Sequence, residues 1–98
     1  MPLYCLHCLD NETDGASRRA ATRPAHLEWV ASLGDTCRMA GPLLSEEGGM
    51  IGSVFLMVAE NAVAARALNA ADPYTKAGVF GRVHISETRW AYGEGKPA

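Results

Sequence analysis

One histidine, His26, lies on the apolar side of a predicted helix, where an imidazole can act as a general base. Its helical neighbours at offsets of three, four and seven are Trp29, Val30 and Leu33, which places all four side chains on one face. Imidazole titrates at about pH 6.5 and can therefore take up and return a proton near neutrality. The same position also suits a core histidine with satisfied hydrogen bonds, so the spacing alone leaves both roles open.

A carboxylate, Asp72, stands directly before Pro73. Asp-Pro is typical of a helix start, where the carboxylate caps the first turn and proline occupies the first helical position. A carboxylate has more than one acceptor site, so a cap can bind a second donor at the same time. Asp72 is thus a structural cap, a functional group, or both.

Two cysteines form a CxxC motif, Cys5 to Cys8, within a predicted strand. A metal ribbon needs a second ligand pair, and the remaining thiol, Cys37, is solitary. Side chains alternate along a strand, so an offset of three sends the two thiols to opposite faces. A redox CxxC would instead open a helix. We expect free thiols that pack in the fold and no metal site, and the spacing gives them no further role.

The composition is that of a soluble globular domain. The chain has 98 residues, 48% of them apolar and 20% charged, with a net charge of −2. This length allows one domain, predicted here over residues 1–92, followed by a mobile tail over residues 93–98. The nine basic residues are scattered, which argues against a nucleic-acid partner. No apolar stretch is long enough for a membrane span or patterned as a secretory signal. With an odd cysteine count, this predicts a cytoplasmic protein with no membrane partner.

The elements that must position these side chains follow the order β-α-β-β-α-β. With right-handed crossovers, this order predicts an α+β, ferredoxin-like fold, in which both helices cover one face of a four-stranded antiparallel sheet. Predicted strands cover residues 2–9, 36–44, 50–59 and 79–89, and helical periodicity covers residues 16–33 and 62–71, with one further turn over residues 75–78.

Pro24 falls inside the first helical segment. Proline in a helix interior removes one hydrogen bond and clashes with the preceding turn. We therefore predict two helices, one ending near residue 21 and a second capped by Thr22, with Pro24 in its first turn. Gly34 is the natural end of the second helix. The later helix is predicted to begin at an Asn61 cap.

The third strand is apolar on both of its sides. Phe55 and Met57 point one way, whereas Val54, Leu56 and Val58 point the other. A sheet with water on one face should alternate apolar with polar residues. The pattern therefore predicts that the helix-free face packs against a second copy of the chain, as a homodimer.

Four short blocks of this sequence resemble signature blocks of the YciI-like family. They occur in the family's order and span most of the chain. The resemblance implies a dimeric α+β barrel with a paired histidine and aspartate in a cleft, here His26 and Asp72. The blocks are Arg-Pro-Ala-His-Leu at 23–27, Ala-Gly-Pro-Leu at 40–43, Ala-Asp-Pro-Tyr at 71–74 and Ala-Gly-Val-Phe at 77–80.

The same resemblance implies which residues line the cleft. Tyr74 and the turn at Gly41 and Pro42 would lie beside the histidine, and Arg19 and Arg23 would orient an anionic group of the substrate. Arg23 also suits a solvated position at a helix start, because exposed arginines often do no more than pair at the surface.

A His–Asp pair without a serine or cysteine nucleophile suits proton transfer rather than covalent catalysis. Asp72 would fix the imidazole tautomer, and the other ring nitrogen of His26 would move the proton. One YciI-like member removes HCl from a chlorinated hydroxyhydroquinone. The resemblance thus favours a lyase that acts on a small aromatic substrate of this kind without a cofactor and yields a hydroxyquinone.

Two other hypotheses remain open. A non-catalytic dimeric module that binds a small metabolite, or assists a partner protein, predicts a pocket filled by side chains and a sealed His26. A haem-binding or monooxygenase-type barrel is also compatible with the fold, and a colourless preparation would argue against it.

Overall fold

A computed structural model describes residues 1–96 as a four-stranded antiparallel sheet with helices packed on one face. The strands lie in the order β2-β3-β1-β4, so the two central strands are the third and the first of the chain. This confirms the predicted α+β fold and its order of elements. The strands are β1 (Leu3–Asp10), β2 (Cys37–Leu44), β3 (Met50–Val58) and β4 (Phe80–Thr88), and the helices are α1 (Gly15–Ser32), α2 (Ala62–Ala71) and α3 (Pro73–Lys76).

The core lies between the helices and the two central strands. Tyr4, Leu6 and Cys8 of β1 point to this side at the period of two expected for a strand, as do Phe55 and Met57 of β3, and all five are buried,. α1 and α2 cover them with apolar residues at helical spacing. These helical residues are Trp29, Val30, Ala62, Ala65 and Leu68.

The first helix runs without a break from Gly15 to Ser32, so the predicted division into two helices is wrong. Pro24 lies inside α1, and Thr22 is a helical residue rather than a cap. Pro24 removes the hydrogen bond to the carbonyl of Ala20, and both residues are exposed. Water can therefore satisfy this carbonyl, which lowers the penalty of an internal proline.

Two predicted helix starts are present. Asn61 Oδ1 accepts a hydrogen bond of 2.9 Å from the backbone N–H of Ala64, which caps α2. Asp72 Oδ1 accepts one of 2.9 Å from the backbone N–H of Tyr74, with Pro73 at the first position of α3. These bonds satisfy N–H groups that have no partner within a helix.

The helix-free face of the sheet carries the second apolar side of β3. Val54, Leu56 and Val58 lie there partly exposed, and the neighbouring β1 adds Leu3 and Cys5. In residues 1–96, no helix has the length and apolar character needed to cross a membrane. Of the predicted tail, residues 93–96 form a turn in which the Lys96 N–H donates to the Gly93 carbonyl at 3.2 Å. Residues 97 and 98 lie outside the described residues.

Candidate active site

A cavity of about 270 Å³ lies between α1, α3 and the β2–β3 side of the sheet. Its wall brings together six of the seven residues that the sequence assigned to a site, and the seventh, Asp72, lies buried behind His26. The six are Arg19, Arg23, His26, Gly41, Pro42 and Tyr74. Ser53 and four apolar residues complete the wall, the latter being Leu27, Val30, Ala40 and Met50.

His26 and Asp72 form a buried hydrogen-bonded pair. The distance from His26 Nδ1 to Asp72 Oδ1 is 2.8 Å, and the two side chains are 9% and 2% exposed. Because the carboxylate accepts, Nδ1 carries the proton, and in the neutral ring Nε2 is then an acceptor. Nε2 has no partner in the described chain and is not among its fully buried unpaired atoms, which places it on the cavity side.

Asp72 caps α3 and binds His26 at the same time. The same oxygen, Oδ1, accepts from His26 and from the α3 backbone N–H of Tyr74. The second oxygen, Oδ2, is buried and has no hydrogen-bond partner among residues 1–96, and the same is true of the hydroxyl of Thr75. The cap fixes the carboxylate, and the carboxylate fixes the imidazole.

Tyr74 lies between the imidazole and a guanidinium. Its ring stacks on His26 with centroids 3.8 Å apart and planes tilted by 12°. The guanidinium carbon of Arg19 lies 4.6 Å from the Tyr74 ring centroid, and since His26 occupies one face, Arg19 covers the other. Burial raises the pKa of the Tyr74 hydroxyl, although the Arg19 charge opposes this shift. The phenol is therefore neutral near pH 7.

Arg19 is held by Asp10 in a buried bidentate pair. Its Nε and Nη2 donate to the two carboxylate oxygens at 2.8 and 2.7 Å, and Nη2 also donates to Ser53 Oγ at 2.9 Å. Burial alone would lower the pKa of Arg19, but the hydrogen bonds and charge of Asp10 outweigh burial and raise it. Arg19 is therefore a permanently charged side chain in the cavity wall, and the carboxylate of Asp10 balances its charge.

Arg23 lies one turn further along α1, exposed at the cavity mouth, and no ion-pair partner binds it within the described part of the chain. It thus combines the two positions considered for it, solvated and at the site. Gly41 and Pro42 lie within β2, so the predicted turn at these residues is wrong, and Pro42 pairs in register with Ser53 of β3.

Asp10 and Ser53 were missed from the sequence. Ser53 is a polar residue on the core side of an otherwise apolar strand, which is a usable signal in hindsight,. Asp10 ends its strand and gave no comparable signal. Its partner Arg19 lies nine residues away on another element, a juxtaposition that only the folded chain supplies.

The cysteines lie as the strand pattern predicted. Cys8 is buried in the core, whereas Cys5 points to the other face, and both are free thiols. Burial, followed by the Asp72 charge, raises the pKa of Cys8 to about 12. Within residues 1–96, no three His, Cys, Asp or Glu side chains are grouped so that they could hold a metal ion.

Known proteins similar to this chain include a family of domains and two curated relatives. Residues 2–89 match the model of the YCII-related domain. The chain is 34% identical over 91 residues to Protein YciI of Escherichia coli O6:H1 and, at the same identity, to Protein YciI of Shigella flexneri. Each alignment covers 85% of this chain and 92% of the relative.

Solved structures agree with this relationship. The 5-chloro-2-hydroxyhydroquinone dehydrochlorinase TftG from Burkholderia phenoliruptrix AC1100, in complex with 2,5-dihydroxybenzoquinone, superposes with a TM-score of 0.79 at 26% identity, over 97% of this chain and 99% of that one. Rv0793 from Mycobacterium tuberculosis has a TM-score of 0.59 at 15% identity, over 96% of this chain and 99% of that one, and so shares the fold. With residues 2–89 matched and both curated relatives aligned over most of their length, the chain belongs to the YCII-related domain family, and its resemblance to YciI-like proteins is confirmed.

Proposed function

We propose that this protein is a cofactor-free acid/base enzyme, a lyase that eliminates HCl from a chlorinated hydroxyhydroquinone and yields a hydroxyquinone. The observation that carries the proposal is the His26 imidazole, held through Nδ1 by Asp72 at 2.8 Å and open to the cavity at Nε2. The likeness to the TftG dehydrochlorinase supports the class of reaction. The mostly apolar wall suits a planar ring of that substrate's size.

In this mechanism, Nε2 takes the proton of a ring hydroxyl, and the electron pair of that O–H bond passes into the ring. The carbon that bears chlorine then takes a proton back from the imidazolium, which gives a ketone. A second hydroxyl proton leaves through His26, and chloride departs with the C–Cl bonding pair. Within the ring, the oxygen-bearing carbons are oxidised by two electrons and the carbon that exchanges chlorine for hydrogen is reduced by two, so the net change is loss of HCl without an external oxidant or reductant.

The first proton transfer is uphill without help. A simple phenol holds its proton to about pH 10 and imidazole to about pH 6.5, a gap of roughly three to four pKa units. Positive charge beside the developing oxyanion narrows this gap. Arg19 and Arg23, both in the cavity wall, supply such charge.

The competing hypothesis is a non-catalytic module that binds a small metabolite or assists a partner protein. It predicts a pocket filled by side chains and an imidazole sealed from solvent. The open cavity beside His26 favours the enzyme over that alternative.

We also propose that two copies of the chain pair through the helix-free face. The partly exposed apolar side of β3, with Val54, Leu56 and Val58, supports this arrangement because an apolar sheet face in water is unfavourable,. Sedimentation at micromolar concentration should give the mass of a dimer, and the mass of a stable monomer would reject the pairing.

The catalytic proposal is tested by incubating purified protein with 5-chloro-2-hydroxyhydroquinone without oxygen and measuring chloride above the protein-free background. We expect turnover by wild type and a loss of about 10²- to 10⁴-fold in His26→Ala, the usual effect of removing a general base. Glu28→Ala is the matched control, because Glu28 is exposed on the same helix and does not line the cavity. Absence of turnover by wild type, or equal turnover by the two variants, would reject the proposal.

A further inference from the structure

Ser53 is a buried polar side chain in the wall of the cavity, and it takes no part in the proton transfers proposed for His26. It is 3% exposed and lies on the core side of β3. Its Oγ accepts a hydrogen bond of 2.9 Å from Arg19 Nη2. The hydroxyl proton of Ser53 has no acceptor within residues 1–96.

The direction of that hydroxyl proton follows from its neighbours. Arg19 can only donate, and two bonds to Asp10 hold its guanidinium in place,. One lone pair of Ser53 Oγ is therefore occupied, and the O–H bond must point away from Arg19. A buried donor without an acceptor is unfavourable by about 1–3 kcal/mol in general, so such donors normally meet a partner. Because Ser53 lines the cavity, a cavity occupant can be that partner.

The charges around the cavity specify what the occupant should be. Arg19 is matched by Asp10, whereas Arg23 at the mouth has no partner in the described chain. The wall therefore offers a neutral O–H donor at Ser53, the positive charge of Arg23, and apolar side chains on its other sides. This surface suits an oxygen acceptor carried by a flat ring, and most of all an oxygen that becomes negative.

We propose that Ser53 is a substrate-binding residue whose hydroxyl donates to a ring oxygen of the substrate, next to the hydroxyl that His26 deprotonates. This inference rests on the proposed function and specifies how the substrate is held, with one ring oxygen as hydrogen-bond acceptor beside the oxygen that His26 deprotonates. Arg19 and Asp10 are positioning residues for Ser53, because they leave its proton free to face the ligand.

The test measures the affinity of the protein for 2,5-dihydroxybenzoquinone by calorimetry. We expect Ser53→Ala to bind at least about tenfold more weakly than wild type, the effect of one hydrogen bond to a charged acceptor. Ser32→Ala is the matched control, because Ser32 is exposed at the end of α1 and bonds only to a backbone carbonyl. A urea denaturation midpoint in Ser53→Ala close to that of wild type shows that the loss belongs to the ligand contact.

The possible failures are distinguishable. If wild type binds the quinone and Ser53→Ala binds it within twofold, the role of Ser53 is overturned and the proposed lyase stands. If wild type binds but releases no chloride from the chlorinated substrate, the lyase fails, and weaker binding by Ser53→Ala still supports the role of Ser53. If wild type does not bind the quinone, the role of Ser53 is overturned, and chloride release alone then decides the lyase.

Discussion

Two buried acid–base pairs, Asp10–Arg19 and Asp72–His26, flank Tyr74. They differ in how completely the hydrogen bonds of their carboxylates are satisfied. In the Asp10–Arg19 pair, both carboxylate oxygens accept from the guanidinium. In the Asp72–His26 pair, one carboxylate oxygen takes both donors, and the other has none among residues 1–96. The Asp10–Arg19 pair is therefore saturated, with no free carboxylate oxygen, whereas in the unsaturated pair Asp72 keeps one buried oxygen without a donor, which is unfavourable in a structural pair. This difference supports the proposal that the first pair is structural and the second takes part in proton transfer.

The largest expected effect comes from breaking the saturated pair. Asp10→Ala leaves Arg19 charged and buried, so the free energy of unfolding should fall by about 3–5 kcal/mol. Urea denaturation measures this loss. Asp14→Ala is the control, because Asp14 pairs with Arg18 at the surface and its removal should change the midpoint little. A loss in Asp10→Ala no greater than in the control would contradict the structural role of the pair.

Removing the charge of the unsaturated pair should instead act on turnover. Asn at position 72 can still cap α3, but its amide N–H₂ can donate to His26 Nδ1, which shifts the ring proton to Nε2. Asp72→Asn should therefore lower the rate of chloride release by about 10- to 100-fold, as loss of an orienting carboxylate commonly does. Unchanged turnover, with the unfolding free energy also near wild type, would show that the carboxylate only caps the helix.

Cys8 lies in the field of both pairs, because Asp72 and Asp10 raise its pKa and Arg19 lowers it. The folded thiol keeps its proton up to about pH 12, whereas the unfolded thiol loses it near 9.0. The contribution of the Cys8 thiol to the free energy of unfolding is fully present below pH 9. It falls as the pH rises toward 12, by at most about 1.4 kcal/mol per pH unit. Urea denaturation of Cys8→Ala from pH 8 to 10 should show a shallower decline than that of wild type. An equal decline would contradict the assignment, and Cys5→Ala is the control.

The smallest expected effect concerns the unpaired oxygens beside the second pair. Thr75→Val replaces a buried hydroxyl that has no partner in the described residues with a methyl group of the same shape. The free energy of unfolding should stay the same or rise by up to about 1 kcal/mol. A loss of more than about 1 kcal/mol would show that Thr75 supplies Asp72 with a further hydrogen bond. Both pairs would then be saturated, and the distinction between them would fail.

The fold could be predicted because it depends on local patterns. The alternation along the strands, the Asn61 cap and the Asp-Pro helix start each depend only on residues that are close together in the sequence. At Pro24 the local pattern gave a wrong prediction. The effect of this proline depends on whether the carbonyl of Ala20 faces water or protein, and that is a property of the packed helix rather than of the sequence around it.

The site residues also differ in whether the sequence could predict them. His26 and Asp72 were joined through family-like blocks, since neither spacing nor composition gives a distance across 46 residues. Ser53 is bound by Arg19 from 34 residues away, and no block pointed to it. Contacts between elements are visible only in the folded chain, and they show which carboxylate oxygens have hydrogen-bond partners.

The cavity wall is formed by residues of α1, β2, β3 and α3, so no two of these elements supply the whole wall. A chain that ends before residue 72 lacks the carboxylate that holds the imidazole. His26 and Asp72 lie 46 residues apart, so the site is complete only when α1 has packed beside α3. Any activity it has should appear together with the native state, which makes turnover a sensitive measure of complete refolding.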